Sequence, residues 1–249
     1  MNYYYRAYCE PVLLFLVFFF PGYLAQQNSF DGGLFNEPAF NIFYTITVLP
    51  QILLIIYILE LKKGKSKTRY GLIPLRKEHL LPIIFTFLGI FLVITPVALL
   101  GAAGGTTGPG WRLDVPGVIP LVFITCMVTG YSEELFFRAY LLTELQPGPP
   151  PEQQTWPLTE LPSEPQPEQQ LSKKQFPMGR QEVAAALGTS LLFGAGHWYQ
   201  GPAGFLGTFA IGMFLCFIFF KYRNLHIIAI AHGLYNFTVL LLSMLVTLP

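Results

Sequence analysis

Charged side chains are scarce in this chain of 249 residues, of which only 12% are Asp, Glu, Lys or Arg. A soluble globular domain carries about 25%, so the shortage argues against an ordinary soluble protein. Hydrophobic residues make up 53% of the chain, with 23 phenylalanines among them, and indicate a membrane protein. The formal net charge of +1 gives no indication of nucleic acid or another acidic partner.

Cysteine is also scarce, with only Cys9, Cys126 and Cys216, which lie in or beside different apolar segments. These cysteines lack the close spacing of metal ligands. We therefore expect small buried residues rather than a disulfide or a metal site. No internal repeat of fixed period is evident, which argues against a solenoid.

Long apolar runs are abundant, and several approach the ~20 residues that a membrane-spanning helix needs. They predict an all-α fold, a polytopic transmembrane helix bundle of about seven spans. The first run could be a signal peptide with Arg6 ahead of its apolar core. Tyr23, however, is too large for the position two residues before a cut after Ala25, which favours a retained helix. The predicted spans are 11–25, 39–60, 79–101, 116–142, 183–199, 203–220 and 225–247.

Lysine and arginine are concentrated in three loops, which follow span two, precede span five and follow span six. Positively charged loops face the cytoplasm. The amino terminus is therefore predicted to be cytoplasmic and the carboxyl terminus external. The chain is therefore expected to be a multi-pass integral protein of the cell (plasma) membrane.

Residues 130–138 place two adjacent carboxylates and a guanidinium inside an apolar helix. Charges at membrane depth are costly and usually mark a functional site. Glu134 and Arg138 are four residues apart, so they share a helix face and are predicted to form an ion pair. Glu133 points about 100° away from Glu134. Glu133 is therefore left outside that pair and available for chemistry.

Two further motifs place polar side chains in apolar helices. In one, Phe193 and His197 lie on the same face, and two intervening glycines permit close helix approach. In the other, His232 and Asn236 are four residues apart and share a face. A single intramembrane His or Asn is about as often structural as functional. Together with Glu133, however, these groups supply a base, its partner and two donors, a set suited to hydrolysis.

The ordered set Glu-Glu-x-x-x-Arg, Phe-x-x-x-His and His-x-x-x-Asn resembles the CAAX protease and bacteriocin-processing (CPBP, Abi) family. These intramembrane endopeptidases are related to the type II CAAX prenyl protease. The resemblance covers roughly residues 116–240. It implies that Glu133 is the general base, that His197 holds the same water, and that His232 and Asn236 stabilise the oxyanion. It also implies that Glu134, Arg138 and Phe193 support the site.

On this basis the chain divides into N-terminal membrane helices (1–115), a catalytic membrane core (116–145 and 183–249) and a cytoplasmic loop (146–182). The loop holds nine Pro and eight Gln in 37 residues. Such a composition cannot build a core and favours disorder. The expected partners are the lipid bilayer and a membrane-presented peptide or protein, with or without a lipid.

The sequence alone leaves open whether the reaction needs a metal, and it leaves two alternative functions. Glu133, His197 and His232 could form a three-ligand zinc site with an open position. A metal-free reaction is favoured, because the chain has no His-Glu-x-x-His helix. A proton-coupled membrane transporter is an alternative, since intramembrane carboxylates and histidines also build relays. Inverted repeats would favour that alternative, and none is evident. A catalytically idle scaffold or immunity protein is another.

Overall fold

The computed structural model describes residues 9–19, 33–61, 69–103, 112–146 and 179–247. Within these ranges the regular structure is helical and there is no β-strand. The predicted all-α helix bundle is confirmed. The helices are α1 (Cys9–Phe19), α2 (Pro38–Leu61), α3 (Leu80–Ala103), α4 (Ile119–Glu134, continued to Leu145), α5 (Arg180–Gly196), α6 (Gly201–Tyr222) and α7 (Leu225–Thr247).

Five of the described helices, namely α2, α3, α4, α6 and α7, are long and apolar enough to cross a membrane. In α2 and α3 only 17% of the most apolar window is buried inside the bundle. Exposed apolar helix surface of this extent is stable in hydrocarbon, where helices satisfy their own backbone polar groups. The chain is therefore an integral membrane protein.

Helix α5 is shorter than a full membrane crossing requires, and only part of the first predicted span is described. Helix α5 has 17 residues, and α1 is described only from Cys9 to Phe19, whereas a span needs about 20. Residues 20–25 of the first predicted span lie outside the described residues. Helix α5 opens with charged Arg180 and Glu182, which indicates that it begins in a polar environment. It packs against α6, and the two helices form a hairpin.

Helices α4 and α7 pack so closely that their backbones touch. A Cβ atom added at Gly130 of α4 would lie 2.7 Å from the Gly233 nitrogen and 2.8 Å from the Ala229 carbonyl oxygen of α7. Small residues at such a crossing permit close approach of membrane helices. Helix α2 also packs on α4, and α3 packs on α6 and α7. The close crossing brings the Glu133 segment against the His232 segment.

Substitution of Gly130 by alanine is therefore expected to destabilise the fold. The added methyl group meets backbone atoms that cannot rotate away, and overpacking of this kind costs about 1–3 kcal/mol. The matched control is Gly188→Ala in α5, where no atom lies within 4 Å of the new Cβ. Thermal unfolding in detergent should show a lower midpoint for Gly130→Ala only. Equal midpoints for the two variants would contradict the close crossing.

The backbone of α4 changes from α-helical to π-helical over Leu135–Leu142, directly after Glu134. All eight side chains of this segment are buried. Helix α1 docks beside it, and the Tyr140 hydroxyl donates a hydrogen bond of 2.7 Å to Glu10. Such π-helical segments are rare and are found frequently at functional sites. Nothing in the apolar pattern predicted this one.

Cys126 and Cys216 are buried thiols, as expected, but Cys9 is exposed. None of the three forms a disulfide. Cys9 is the first described residue of α1, so fewer neighbours cover it than cover a residue inside a helix. Most of the predicted 146–182 loop lies outside the described residues.

Candidate active site

The Glu133 carboxylate lies between two imidazole rings that come from other helices. Its Oε1 atom is 3.8 Å from Nε2 of His197, and its Oε2 atom is 3.6 Å from Nε2 of His232. The Glu133 side chain retains 13% of its accessible surface. The site therefore combines a nearly desolvated carboxylate with two ring nitrogens at distances that a water molecule could bridge.

His197 is placed by the end of α5. The chain leaves the α-helical conformation at this residue, with φ −107° and ψ 13°, and enters a 3₁₀ turn over Trp198–Gln200. The His197 Nδ1 atom lies 2.8 Å from the Phe193 carbonyl oxygen. The Tyr199 ring stacks on the imidazole at 6.0 Å. Helix α5 thus ends where its last turn presents a histidine to α4.

Phe193 and its glycine neighbours shape this wall of the site. The Phe193 ring lies 4.8 Å from the ring of His197 and 6.0 Å from that of His232. Of the two glycines between Phe193 and His197, only Gly194 lies close to α6. A Cβ atom added there would lie 3.1 Å from the Phe205 carbonyl oxygen. Gly196 has no atom within 4 Å of its Cβ position. The prediction that both glycines permit helix approach was therefore wrong for Gly196.

The predicted ion pair between Glu134 and Arg138 is present and fully buried. Arg138 Nη1 donates to Glu134 Oε1 at 3.1 Å, and both side chains have 0% exposure. The Arg138 guanidinium also lies 4.5 Å above the Phe193 ring. The same Glu134 oxygen accepts a hydrogen bond of 2.8 Å from Nδ1 of His232. Sequence reasoning missed this third member, because helical spacing reveals neighbours on one helix only.

These hydrogen bonds assign the protonated nitrogen of each imidazole. A carbonyl oxygen can only accept, so His197 carries hydrogen on Nδ1. Glu134 already accepts from Arg138, so it is a carboxylate and His232 also donates from Nδ1. In the neutral rings, both Nε2 atoms therefore direct a lone pair towards Glu133. A water molecule beside Glu133 can therefore donate one hydrogen to the carboxylate and the other to a ring nitrogen.

Asn236 lies one turn beyond His232 on α7 and is half-buried. Among the described residues it has no hydrogen-bond partner that would fix its carboxamide. The structure thus brings Glu133, His197 and His232 together, with Asn236 at the neighbouring turn of the same helix. No hydrogen bond joins Asn236 to Glu133 in the described part of the chain.

The zinc alternative requires Glu133, His197 and His232 to act as ligands. Their outer hydrogen bonds to Phe193 and Glu134 are of the kind that orients metal-binding histidines. However, no group of three or more His, Cys, Asp or Glu side chains within the described ranges has the geometry to hold a metal ion. The metal-free reaction is developed below, and the zinc alternative is left to the chelator experiment.

Residues 115–238 match the family model for the type II CAAX prenyl endopeptidase Rce1-like proteins. The matched segment spans about half of the chain and contains every residue of the site described above. No curated protein and no solved structure matches the chain. The family named by the ordered motifs is therefore confirmed, and the chain belongs to the Rce1-like family of type II CAAX prenyl endopeptidases.

Proposed function

We propose that this protein is an intramembrane endopeptidase in which Glu133 activates a water molecule. The observation that supports the proposal is the position of Glu133, which faces two Nε2 lone pairs but stays outside the buried Glu134–Arg138 pair. A carboxylate without a fixed cation can take up a proton and release it again. Because the Glu133 side chain has low exposure, bulk water competes less with the bound water for hydrogen bonds to its carboxylate.

The reaction begins with a water molecule that donates one hydrogen to Glu133 and the other to Nε2 of His197. Glu133 takes the proton while the water oxygen bonds to the peptide carbonyl carbon, and the carbonyl electron pair moves onto its oxygen. The tetrahedral adduct then collapses, the carbon–nitrogen bond breaks, and Glu133 gives its proton to the leaving nitrogen. One glutamate therefore serves as base and then as acid.

The oxyanion of the adduct needs hydrogen-bond donors close to the water held by Glu133. Asn236 is proposed to donate from its carboxamide. His232 adds a second donor once Nε2 carries a proton, while Glu134 holds the ring by Nδ1. Preorganised donors of this kind are usually the largest single contribution to such reactions.

The proposed substrate is a peptide or protein segment presented at the membrane and ending in a CAAX-type motif, with leader-peptide processing as the alternative. The family description names prenyl substrates, so a lipidated peptide is the first to test. The proposed setting is the plasma membrane, with the site reached from the cytoplasmic side, as the basic loops predict.

Cleavage of matched peptides by the purified protein tests this proposal and the metal alternative together. A farnesylated CAAX peptide, its unlipidated twin and a leader peptide are incubated with protein in vesicles, and products are identified by mass spectrometry. We expect cleavage of the farnesylated peptide that persists after treatment with a chelator. Loss of cleavage in chelator, restored by zinc, would replace the metal-free mechanism but keep the endopeptidase. Absence of cleavage of every peptide would contradict the proposed function.

A further inference from the structure

The tautomers of the two histidines leave the site short of hydrogen-bond donors. Both Nδ1 hydrogens are committed, that of His197 to the Phe193 carbonyl and that of His232 to Glu134. In the neutral rings Nε2 can only accept. An oxyanion forming beside Glu133 therefore has Asn236 as its one donor on α7 until His232 takes up a proton. A second donor that needs no proton uptake must come from another helix.

Helix α2 brings a phenol, that of Tyr44, against the turn of α4 that precedes Glu133. The Tyr44 hydroxyl lies 3.4 Å from Oγ1 of Thr129. Thr129 precedes Glu133 by four residues on α4, so both side chains share one face of that helix. The Tyr44 hydroxyl is also within electrostatic range of Glu133 and of Tyr199. Tyr44 therefore stands at the rim of the Glu133 site, although α2 lies outside the matched segment 115–238.

The hydrogen of the Tyr44 hydroxyl is only loosely engaged. Thr129 already donates to the Thr125 carbonyl at 2.8 Å, and its 3.4 Å separation from Tyr44 is long for a hydrogen bond between hydroxyls. The Tyr44 side chain as a whole is half-buried, and its hydroxyl faces α4 through Thr129. A phenol in this state is free to turn its hydrogen to a stronger acceptor, and an oxyanion is such an acceptor.

We propose that Tyr44 is a further catalytic residue, which donates a hydrogen bond to the oxyanion formed when the water held by Glu133 adds to the peptide carbonyl. This inference rests on the proposed endopeptidase function. Tyr44 exchanges no proton with the substrate: its O–H bond stays intact while the negative charge develops, and the hydrogen bond weakens again when the carbonyl reforms. Such a donor acts on the transition state more than on the bound substrate.

Substitution of Tyr44 by phenylalanine tests this role, because it removes only the hydroxyl. We expect kcat to fall about 10²-fold, the effect of removing one oxyanion donor, with KM changed less than about twofold. A peptide aldehyde, whose hydrate mimics the tetrahedral adduct, should lose affinity by the same factor as kcat. The affinity for an uncleavable peptide measured in the Glu133→Gln background should not change.

The control is Tyr57→Phe on the same helix, where the residue is 60% exposed and lies beyond the site. A Tyr44→Phe variant with wild-type kcat, or with its loss confined to KM or thermal stability, would overturn the assignment. If Tyr44→Phe does not fold, 3-fluorotyrosine at position 44 keeps the hydroxyl and strengthens it as a donor. Unchanged kcat in that protein would overturn the assignment as well.

The outcomes separate this inference from the function on which it rests. Wild-type cleavage that disappears in Glu133→Gln but survives in Tyr44→Phe removes the role of Tyr44 and leaves the endopeptidase. Cleavage that Glu133→Gln retains removes the proposed mechanism itself, whatever the Tyr44 variant does.

Discussion

Replacement of Glu133 by glutamine is expected to reduce peptide cleavage by about 10³–10⁴-fold, in the upper range for loss of a general base. The amide has nearly the same shape as the carboxylate, but it cannot take a proton from water. Folding should be retained, because Glu133 makes no ion pair with a Lys or Arg in the described part of the chain. Its neighbours are the His197 and His232 rings at 3.8 and 3.6 Å.

The matched control for that variant is Glu78→Gln, which makes the same chemical change at an exposed position before α3. Thermal midpoints and initial cleavage rates are measured on the same preparations. Both variants should unfold like the wild type, and only Glu133→Gln should lose cleavage. Near wild-type cleavage by Glu133→Gln would show that another group activates the water.

Replacement of Glu134 by glutamine is expected to act mainly on stability. It leaves the Arg138 guanidinium, with 0% side-chain exposure, without its carboxylate. Removal of one partner from a buried pair costs roughly 3–5 kcal/mol, because the other charge stays buried. The 2.8 Å hydrogen bond from His232 also loses its charged acceptor, because a neutral amide oxygen replaces the carboxylate. We expect a lower yield and a lower thermal midpoint in detergent.

A second substitution separates the two functions of Glu134. Arg138→Met in the Glu134→Gln background removes the uncompensated charge while keeping a long apolar side chain, so much of the lost stability should return. Cleavage should stay impaired, because His232 still lacks a carboxylate on Nδ1. A double variant as unstable as Glu134→Gln alone would contradict the buried pair as the cause.

The sequence was sufficient to predict features that depend on a single helix. Adjacent glutamates with an arginine four residues on led to the Glu134–Arg138 pair, and the apolar runs led to the helix bundle. The ordered polar motifs led to the family. Each of these follows from spacing along the chain, which fixes which side chains share a face.

Three features that depend on tertiary packing were not predicted. The hydrogen bond from His232 to Glu134 joins α7 to α4, and Tyr44 approaches Glu133 only because α2 packs on α4. The π-helical turn after Glu134 changes the register of buried side chains without a marker such as proline. Tertiary packing decides all three, and a single sequence does not encode it as a periodic pattern.

The most direct test of the central claim is a time course of CAAX-peptide cleavage in H₂¹⁸O, with the wild type and Glu133→Gln in identical vesicles. Mass spectrometry follows the peptide products and the intact protein together. The account predicts that the wild type releases a product with one ¹⁸O atom in the new carboxyl group and forms no covalent adduct with the peptide. It predicts that Glu133→Gln gives almost no product. An acyl adduct on the wild-type protein, or equal release by both proteins, would contradict a water activated by Glu133.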